Sequence, residues 1–276
     1  MTIQDAIRQG TARLEAAAVP DPRLDAEYLL AGVMNQPRLL VCLNKMEPLG
    51  SDHWQAFDKL LARRESREPL QYILGETPFY GRTFKCDPRA LIPRPETELL
   101  CELAIAAMPP RARVLDLCCG TGAIGLTLAL ERPGCQVTLS DLSGEALSLA
   151  QENAVRLGAS CRFCQGDLFE PVAAETYDLI ISNPPYIPAD VCRQLQQEVQ
   201  KEPLMALEGG LDGLYFYRQI AAQGPAHLVA GGLLLLEIGY DQGETVPALL
   251  EEHFTQIQMH RDLNHLPRMV TARRKP

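Results

Sequence analysis

The chain has 276 residues, a formal net charge of −9 and a pI near 5.1, with 46% hydrophobic and 22% charged side chains. That balance suits one large or two ordinary globular domains, and it argues against broad duplex binding, which rests on Lys and Arg neutralising phosphates. No stretch approaches the roughly 20 apolar residues a bilayer span needs, and Asp5, Arg8 and Arg13 interrupt any signal-peptide core, so a cytoplasmic location is expected.

Residues 1–74 read as short helices forming a small all-helical domain. Thr2 followed by Asp5 resembles a capping box. Asp21-Pro22 reads as an N-cap with proline at the first helical position. Ser51 is expected to cap a further helix whose Trp54, Phe57 and Leu61 fall on one apolar stripe. Lys59, Arg63, Arg64 and Arg67 form a basic run along it, read as a solvated face. Residues 1–75 hold 9 basic and 10 acidic side chains against 17 and 25 in the remainder, so the front segment is electrostatically distinct and suits a partner-facing domain.

Residues 75–90 read as a β-hairpin connector, with Thr77–Tyr80 and Thr83–Lys85 flanking a Gly81-Arg82 turn. From residue 91 to 276 the chain reads as one α/β domain. Strands are predicted near 113–117, 136–140, 161–164, 177–182 and 232–238, with helices near 122–131, 143–157, 214–230 and 241–252. Two last strands, near 255–260 and 269–274, are separated only by a loop and should pair antiparallel at the sheet end. Residues 187–213 form a long connection, read as a substrate lid. Of nine cysteines, Cys118 and Cys119 are adjacent and Cys161 and Cys164 lie three apart in a strand-like run. Each pair therefore points to opposite faces. With no second Cys-x-x-Cys or His pair at ligand spacing, no metal site is expected.

The strand 113–117 runs into Cys118-Cys119-Gly120-Thr121-Gly122 and a helix. Gly120, Gly122 and Gly125 satisfy the dinucleotide fingerprint, and Asp141 ends the next strand, placed for ribose hydroxyls. Asp116, however, sits where a pyrophosphate would lie, and like charge there opposes that ligand. A cofactor carrying sulfonium and ammonium groups would be favoured instead. Asp167, with Leu168, is placed to face an adenine. S-adenosyl-L-methionine is the better reading.

Asn183-Pro184-Pro185-Tyr186 follows the apolar strand 177–182. Two prolines end the ladder and stiffen an extended tip at the strand's C-terminal end, where open α/β sheets bind ligands. An Asn amide, proline carbonyls and an aromatic ring together suit a planar NH₂ group.

These motifs resemble those of the class I, Rossmann-like, S-adenosylmethionine-dependent methyltransferases of amino or amide nitrogen. The Leu91–Glu98 segment with Arg94-Pro95-Glu96-Thr97-Glu98, the Phe79–Phe84 hairpin and the Glu202–Gly213 loop resemble the PrmC/HemK family. Where that family usually has Gly and Thr, this chain has Cys118 and Cys119. The resemblance implies transfer of a methyl group to the glutamine side-chain amide nitrogen (N5) in the Gly-Gly-Gln motif of class-1 peptide release factors, with S-adenosyl-L-homocysteine as product. It implies catalytic roles for Asn183, Pro184, Pro185 and Tyr186. It also implies cofactor contacts from Asp116, Cys118, Cys119, Gly120, Thr121, Gly122, Asp141, Asp167, Leu168 and Asn183. The partner expected is a protein, with neither nucleic acid nor membrane bound directly. A glutamine methyltransferase of a ribosomal protein and an adenine-N6 methyltransferase of nucleic acid remain the alternatives, since both present an NH₂ group to the same acceptors.

Overall fold

Capping and packing decide where each helix begins. The computed structural model describes Met1–Pro276, which form two compact units: Met1–Glu76 with Gln196–Lys201, and Thr77–Leu195 with Glu202–Pro276. The first unit holds α1 (Ile3–Ala16), α2 (Pro22–Met34), α3 (Arg38–Leu43), α4 (Ser51–Glu65) and α5 (Leu70–Leu74). They pack around fully buried Leu14, Leu29, Leu30, Phe57 and Leu61. The Thr2–Asp5 capping box is present, with Asp5 N donating to Thr2 Oγ1 and Thr2 N to the Asp5 carboxylate, both at 3.1 Å. Asp21 occupies the N-cap of α2 but makes no side-chain cap bond. Gly50, not Ser51, caps α4, and the Ser51 hydroxyl turns to Asp52.

The basic run on α4 is not a uniformly solvated face. Arg64 continues the buried stripe of Phe57 and Leu61, at helical spacing, and is 4% exposed. Its Nε donates to Asp25 at 2.7 Å, and its Nη1 lies 2.9 Å from Glu198. Arg67 grips the same Glu198 with two bonds of 2.7 Å. Only Lys59 and Arg63 remain exposed. The acidic partners come from α2 and from a distant segment, so local spacing could not reveal them.

From Thr77 the second unit opens with a hairpin of β1 (Glu76–Phe79, its first residue counted with the first unit) and β2 (Arg82–Lys85). Its turn is Tyr80-Gly81, one residue earlier than predicted, and both residues have positive φ, at 49° and 70°. That is the two-residue geometry that matches strand twist. The chain continues through α6 (Thr97–Ala107), β3 (Arg113–Leu117), α7 (Ala123–Glu131), β4 (Gln136–Asp141), α8 (Gly144–Leu157), β5 (Arg162–Gln165) and β6 (Tyr177–Ser182). It ends with α9 (Ala189–Cys192), α10 (Tyr215–Gln223), β7 (Leu228–Glu237), α11 (Thr245–Leu250), β8 (Phe254–Arg261) and β9 (Pro267–Arg274). The seven strands lie in the order β5-β4-β3-β6-β7-β9-β8. The first five are parallel, and β9 runs antiparallel between β7 and β8. This is the Rossmann-like α/β sheet with antiparallel end strands. Leu179, Ile180 and Ile181 of β6 and Leu234, Leu235 and Leu236 of β7 are fully buried, as parallel strands covered on both faces require.

Two element boundaries differ from the sequence reading. The helix predicted over 214–230 stops at Gln223, and a 3₁₀ turn, Gly224–His227, leads into a strand that begins at Leu228. Pro225 lacks the N–H that would carry the helix onward. The helix predicted over 241–252 is confined to α11, because Gly239 N donates to Gln242 Oε1 and holds the preceding residues in a turn. No helix is long and apolar enough to cross a membrane.

Candidate active site

The glycine turn after β3 is shaped from beneath by one carboxylate. Asp116 is fully buried; its Oδ2 accepts from Gly125 N at 2.8 Å, while Oδ1 has no partner. Gly125 permits that approach, since a Cβ there would lie 2.9 Å from the carboxylate and 2.8 Å from Leu139. Burial pushes the Asp116 carboxyl up to about 8. Asp116, expected among the cofactor contacts, lies with its side chain buried under the turn and is not part of the cavity wall. Above it the backbone is left-handed at Cys118, Gly120 and Gly122, with φ of 57°, 53° and 80°. Cys118 adopts a conformation that usually calls for glycine. Burial also raises its thiol well above the ordinary range.

Asp141 ends β4 and faces the turn. Its Oδ2 accepts from Gly120 N at 2.8 Å and its Oδ1 from Ser143 N at 2.9 Å. Burial raises its carboxyl, and these backbone donors oppose the rise. Beside it opens a cavity of about 420 Å³, at the C-terminal ends of the parallel strands. Of the residues predicted from sequence, Cys118, Gly120, Asp141, Asp167, Leu168 and Asn183 line it, together with Pro185. Cys119, Thr121, Gly122, Pro184 and Tyr186 lie outside its wall. The remaining wall includes Leu142, Ala146, Leu204, Met205 and Phe216, none of which sequence reasoning singled out. One signal was available in the sequence: Leu142 is an apolar residue directly after a strand-ending acid, and the structure leaves it exposed.

Asn183 leaves β6 at a fixed point. Ser182 pairs with Leu117 of β3 and Leu236 of β7, and its Oγ donates to Leu117 O at 2.7 Å. Asn183 Nδ2 donates to Thr97 Oγ1 at 3.4 Å, and Thr97 Oγ1 donates to Glu237 Oε2 at 2.6 Å. The Tyr186 ring packs against the apolar cluster that contains Tyr217 and Leu236, and burial pushes its phenol up to about 12. Phe216 is the aromatic ring in the cavity wall.

The connection read as a lid is built as a buttress and a wall. Ile187 N donates to Leu207 O at 2.9 Å, and Gly209 N returns a bond to Ile187 O at 2.8 Å. A Cβ on Gly209 would meet Tyr186 Cα at 2.7 Å and Pro185 O at 2.8 Å, so the loop lies directly on the backbone of the proline motif. Glu202, 6% exposed, accepts from Ile92 N at 3.0 Å and from Arg94 Nη2 at 2.5 Å. That anchor sets the neighbouring Leu204 and Met205 in the cavity wall.

The cavity wall carries three carboxylates, Asp141, Asp167 and Glu208, against one cation. That cation, Arg89, is already bound to Asp87 and Glu152. Ser140 Oγ, also in the wall, has no partner within the protein. Acidic groups, a free buried hydroxyl and a run of apolar side chains fit a cationic ligand with a flat apolar portion, and a volume of this size is that of a small-molecule site.

Residues 5–75 match the family model of the PrmC N-terminal domain, and residues 96–265 match that of the methyltransferase small domain. The release factor glutamine methyltransferase of Geobacter sulfurreducens is 42% identical over 262 residues, spanning 94% of this chain and 92% of that protein. The release factor glutamine methyltransferase of Cereibacter sphaeroides is 44% identical over 277 residues, spanning 99% of each. Among solved structures, a methyltransferase from Pyrococcus furiosus superposes with a TM-score of 0.55 at 16% identity, covering 71% of this chain and 91% of that one. A 16S rRNA methyltransferase from T. thermophilus, solved with AdoMet and guanosine, gives 0.53 at 20% identity, covering 72% and 50%. Both likenesses are to the fold.

Proposed function

The chain belongs to the release factor glutamine methyltransferase family, and from that premise we propose how its cavity performs the reaction. It is an S-adenosylmethionine-dependent enzyme that methylates glutamine in release factors. More finely, the acceptor is N5 of the glutamine in the Gly-Gly-Gln motif of class-1 peptide release factors. The product is S-adenosylhomocysteine, and work on a translation factor belongs in the cytoplasm.

When bound, S-adenosylmethionine supplies a methyl group activated by a cationic sulfur. Asp141, Asp167, Cys118, Gly120 and Leu168 hold it, while Asp116, Cys119, Thr121 and Gly122 fix the turn they act from. Leu142 and Ala146 add apolar contact in the same wall.

An amide nitrogen is a weak nucleophile because its lone pair is delocalised into the carbonyl. Asn183 Oδ1 and the Pro184 carbonyl each accept one hydrogen of the target amide. This aligns the nitrogen and stabilises positive charge as it develops there. Pro185 and Tyr186 hold those acceptors rigid. The transferred methyl replaces one amide hydrogen, which leaves as a proton. A strong base is not required, because the nitrogen becomes acidic once alkylated.

The observation that carries this reading is Asn183 standing in the same cavity wall as Asp141 and Cys118. The test is to incubate the protein with labelled S-adenosylmethionine and a class-1 release factor, then map the label by mass spectrometry. One methyl on the Gly-Gly-Gln glutamine is expected. Label found instead on a ribosomal protein or on nucleic acid would overturn the assignment.

A further inference from the structure

We propose that Glu237 and Thr97 are positioning residues for methyl transfer, engaging the NH₂ end of the Asn183 amide so that its oxygen is turned to the substrate. The inference rests on the reading of Asn183 as an acceptor and adds what makes it one.

An asparagine side chain has two nearly isosteric ends, one that donates and one that accepts. Which end faces the cavity decides whether the residue can take a hydrogen from a target NH₂ group. The fold supplies the decision. Glu237 ends β7, the parallel neighbour of β6, and the Ser182–Leu236 pairing brings Asn183 alongside Glu237. Thr97 opens α6 and is 4% exposed; Glu237 is 2% exposed.

The Thr97 hydroxyl has one hydrogen, and it goes to Glu237 Oε2 at 2.6 Å. Towards Asn183 that hydroxyl can therefore only accept, and the partner 3.4 Å away must be Nδ2. The Asn183 side chain also acts on the Glu237 carboxyl, favouring its ionised form. An ionised carboxylate only accepts, so its charge favours the NH₂ end of the neighbouring amide, the same orientation that Thr97 sets. The Asn183 oxygen is left for the cavity.

Glu237 is not balanced by a close ion pair. Arg268 acts on it from β9, but its Nε is 3.3 Å from Asp262. Glu96 raises the carboxyl by like charge, and Tyr186, Tyr217 and Cys101 also feel its charge. The Tyr217 hydroxyl is bound to the Glu237 backbone carbonyl at 2.9 Å. Burial outweighs these contacts and holds the carboxyl up at about 7. Protonation would give Glu237 a hydrogen of its own to donate, and the rule that fixes Asn183 would be lost. Turnover thus requires the ionised form and falls as pH drops through the neutral range.

The experiment measures kcat, KM and cofactor affinity against pH, with a class-1 release factor as acceptor, for the wild type, Glu237→Gln, Thr97→Val, Thr97→Ser and Asn183→Ala. Glu237→Gln is expected to lose roughly 10- to 100-fold in kcat, by analogy with other residues that orient a functional side chain. Its cofactor affinity should stay near wild type, and the acid limb of its pH profile should disappear. Thr97→Val should lose kcat and Thr97→Ser should recover it, which keeps the test decisive if Glu237→Gln fails to fold. Wild-type kcat and an unchanged acid limb in Glu237→Gln, or wild-type kcat in Thr97→Val, would overturn the proposal. Should Asn183→Ala itself turn over normally, it is the underlying reading of Asn183 that fails, and this inference with it.

Discussion

Asn153 bonds both backbone groups of Lys85: its Oδ1 accepts from Lys85 N at 2.6 Å and its Nδ2 donates to Lys85 O at 3.1 Å. The same Nδ2 donates to Thr121 O at 3.0 Å, so one fully buried amide on α8 joins the hairpin strand β2 to the glycine turn. Asn153→Ala would leave three backbone groups without these partners. A loss of about 2–4 kcal/mol is expected: a fully buried unsatisfied group costs roughly 1–3 kcal/mol, and of the three only Thr121 O is fully buried, the Lys85 groups being partly open to water. Urea unfolding measures it, and calorimetric titration with S-adenosylmethionine should show weaker binding. Unchanged midpoint and affinity would show that the tie does neither job.

Gly209 separates positioning from folding. Its backbone needs no left-handed conformation, yet a Cβ would press on Pro185 O and Tyr186 Cα. Gly209→Ala is expected to displace the proline motif and lower kcat by about 10- to 100-fold, because small misplacements of reacting groups are that costly. Cofactor affinity should hold. A variant with full turnover would mean that the loop does not fix the motif.

For Asn183→Ala, steady-state kinetics should show a kcat loss on the order of 10²–10³, the scale seen when one preorganised hydrogen-bonding group is removed from a charged transition state. Cofactor binding by the variant, followed separately, distinguishes lost chemistry from a collapsed cavity.

Asp116 makes stability depend on pH in a defined direction. Its folded carboxyl sits at about 8, above the ordinary 3.8, so the folded chain keeps a proton that the unfolded chain releases. The unfolded state therefore binds fewer protons across that interval, and stability falls as pH rises through it. Asp116→Asn removes the titration and keeps an oxygen for Gly125 N. Measured without cofactor, the melting temperature of the variant relative to wild type should rise steadily between mildly acidic and mildly alkaline pH. A constant offset would assign the pH dependence to other groups.

The parallel strands were legible because burial on both faces leaves near-continuous apolar runs, as in Leu179–Ile181 and Leu234–Leu236. Asn183 was legible because it follows such a run, and Asp141 because it ends the alternating strand Gln136–Asp141. What stayed hidden depends on contacts far apart in sequence. Thr97 and Glu237 meet across 140 positions. Phe216, Leu204 and Met205 reach the cavity through the long connection and α10, whose course no local pattern fixes. Arg64 shared a basic run with Lys59; its spacing from Phe57 and Leu61 places it on the buried face, but the carboxylates of Asp25 and Glu198 that let it be buried come from elsewhere in the chain. Asp116 was read correctly as the end of a strand, but its burial beneath the turn follows from how closely Gly125 approaches it.

The salt bridges of Glu198 bear on how this chain can be dissected. The helical unit is completed by six residues, Gln196–Lys201, that lie more than a hundred positions beyond its last helix. A fragment cut after Glu76 would strip Arg64 and Arg67 of their shared anion and leave Arg64 buried with Asp25 as its one carboxylate. Grafting the helical unit onto another scaffold, or exchanging it between relatives, therefore calls for carrying that short segment along or supplying a substitute carboxylate.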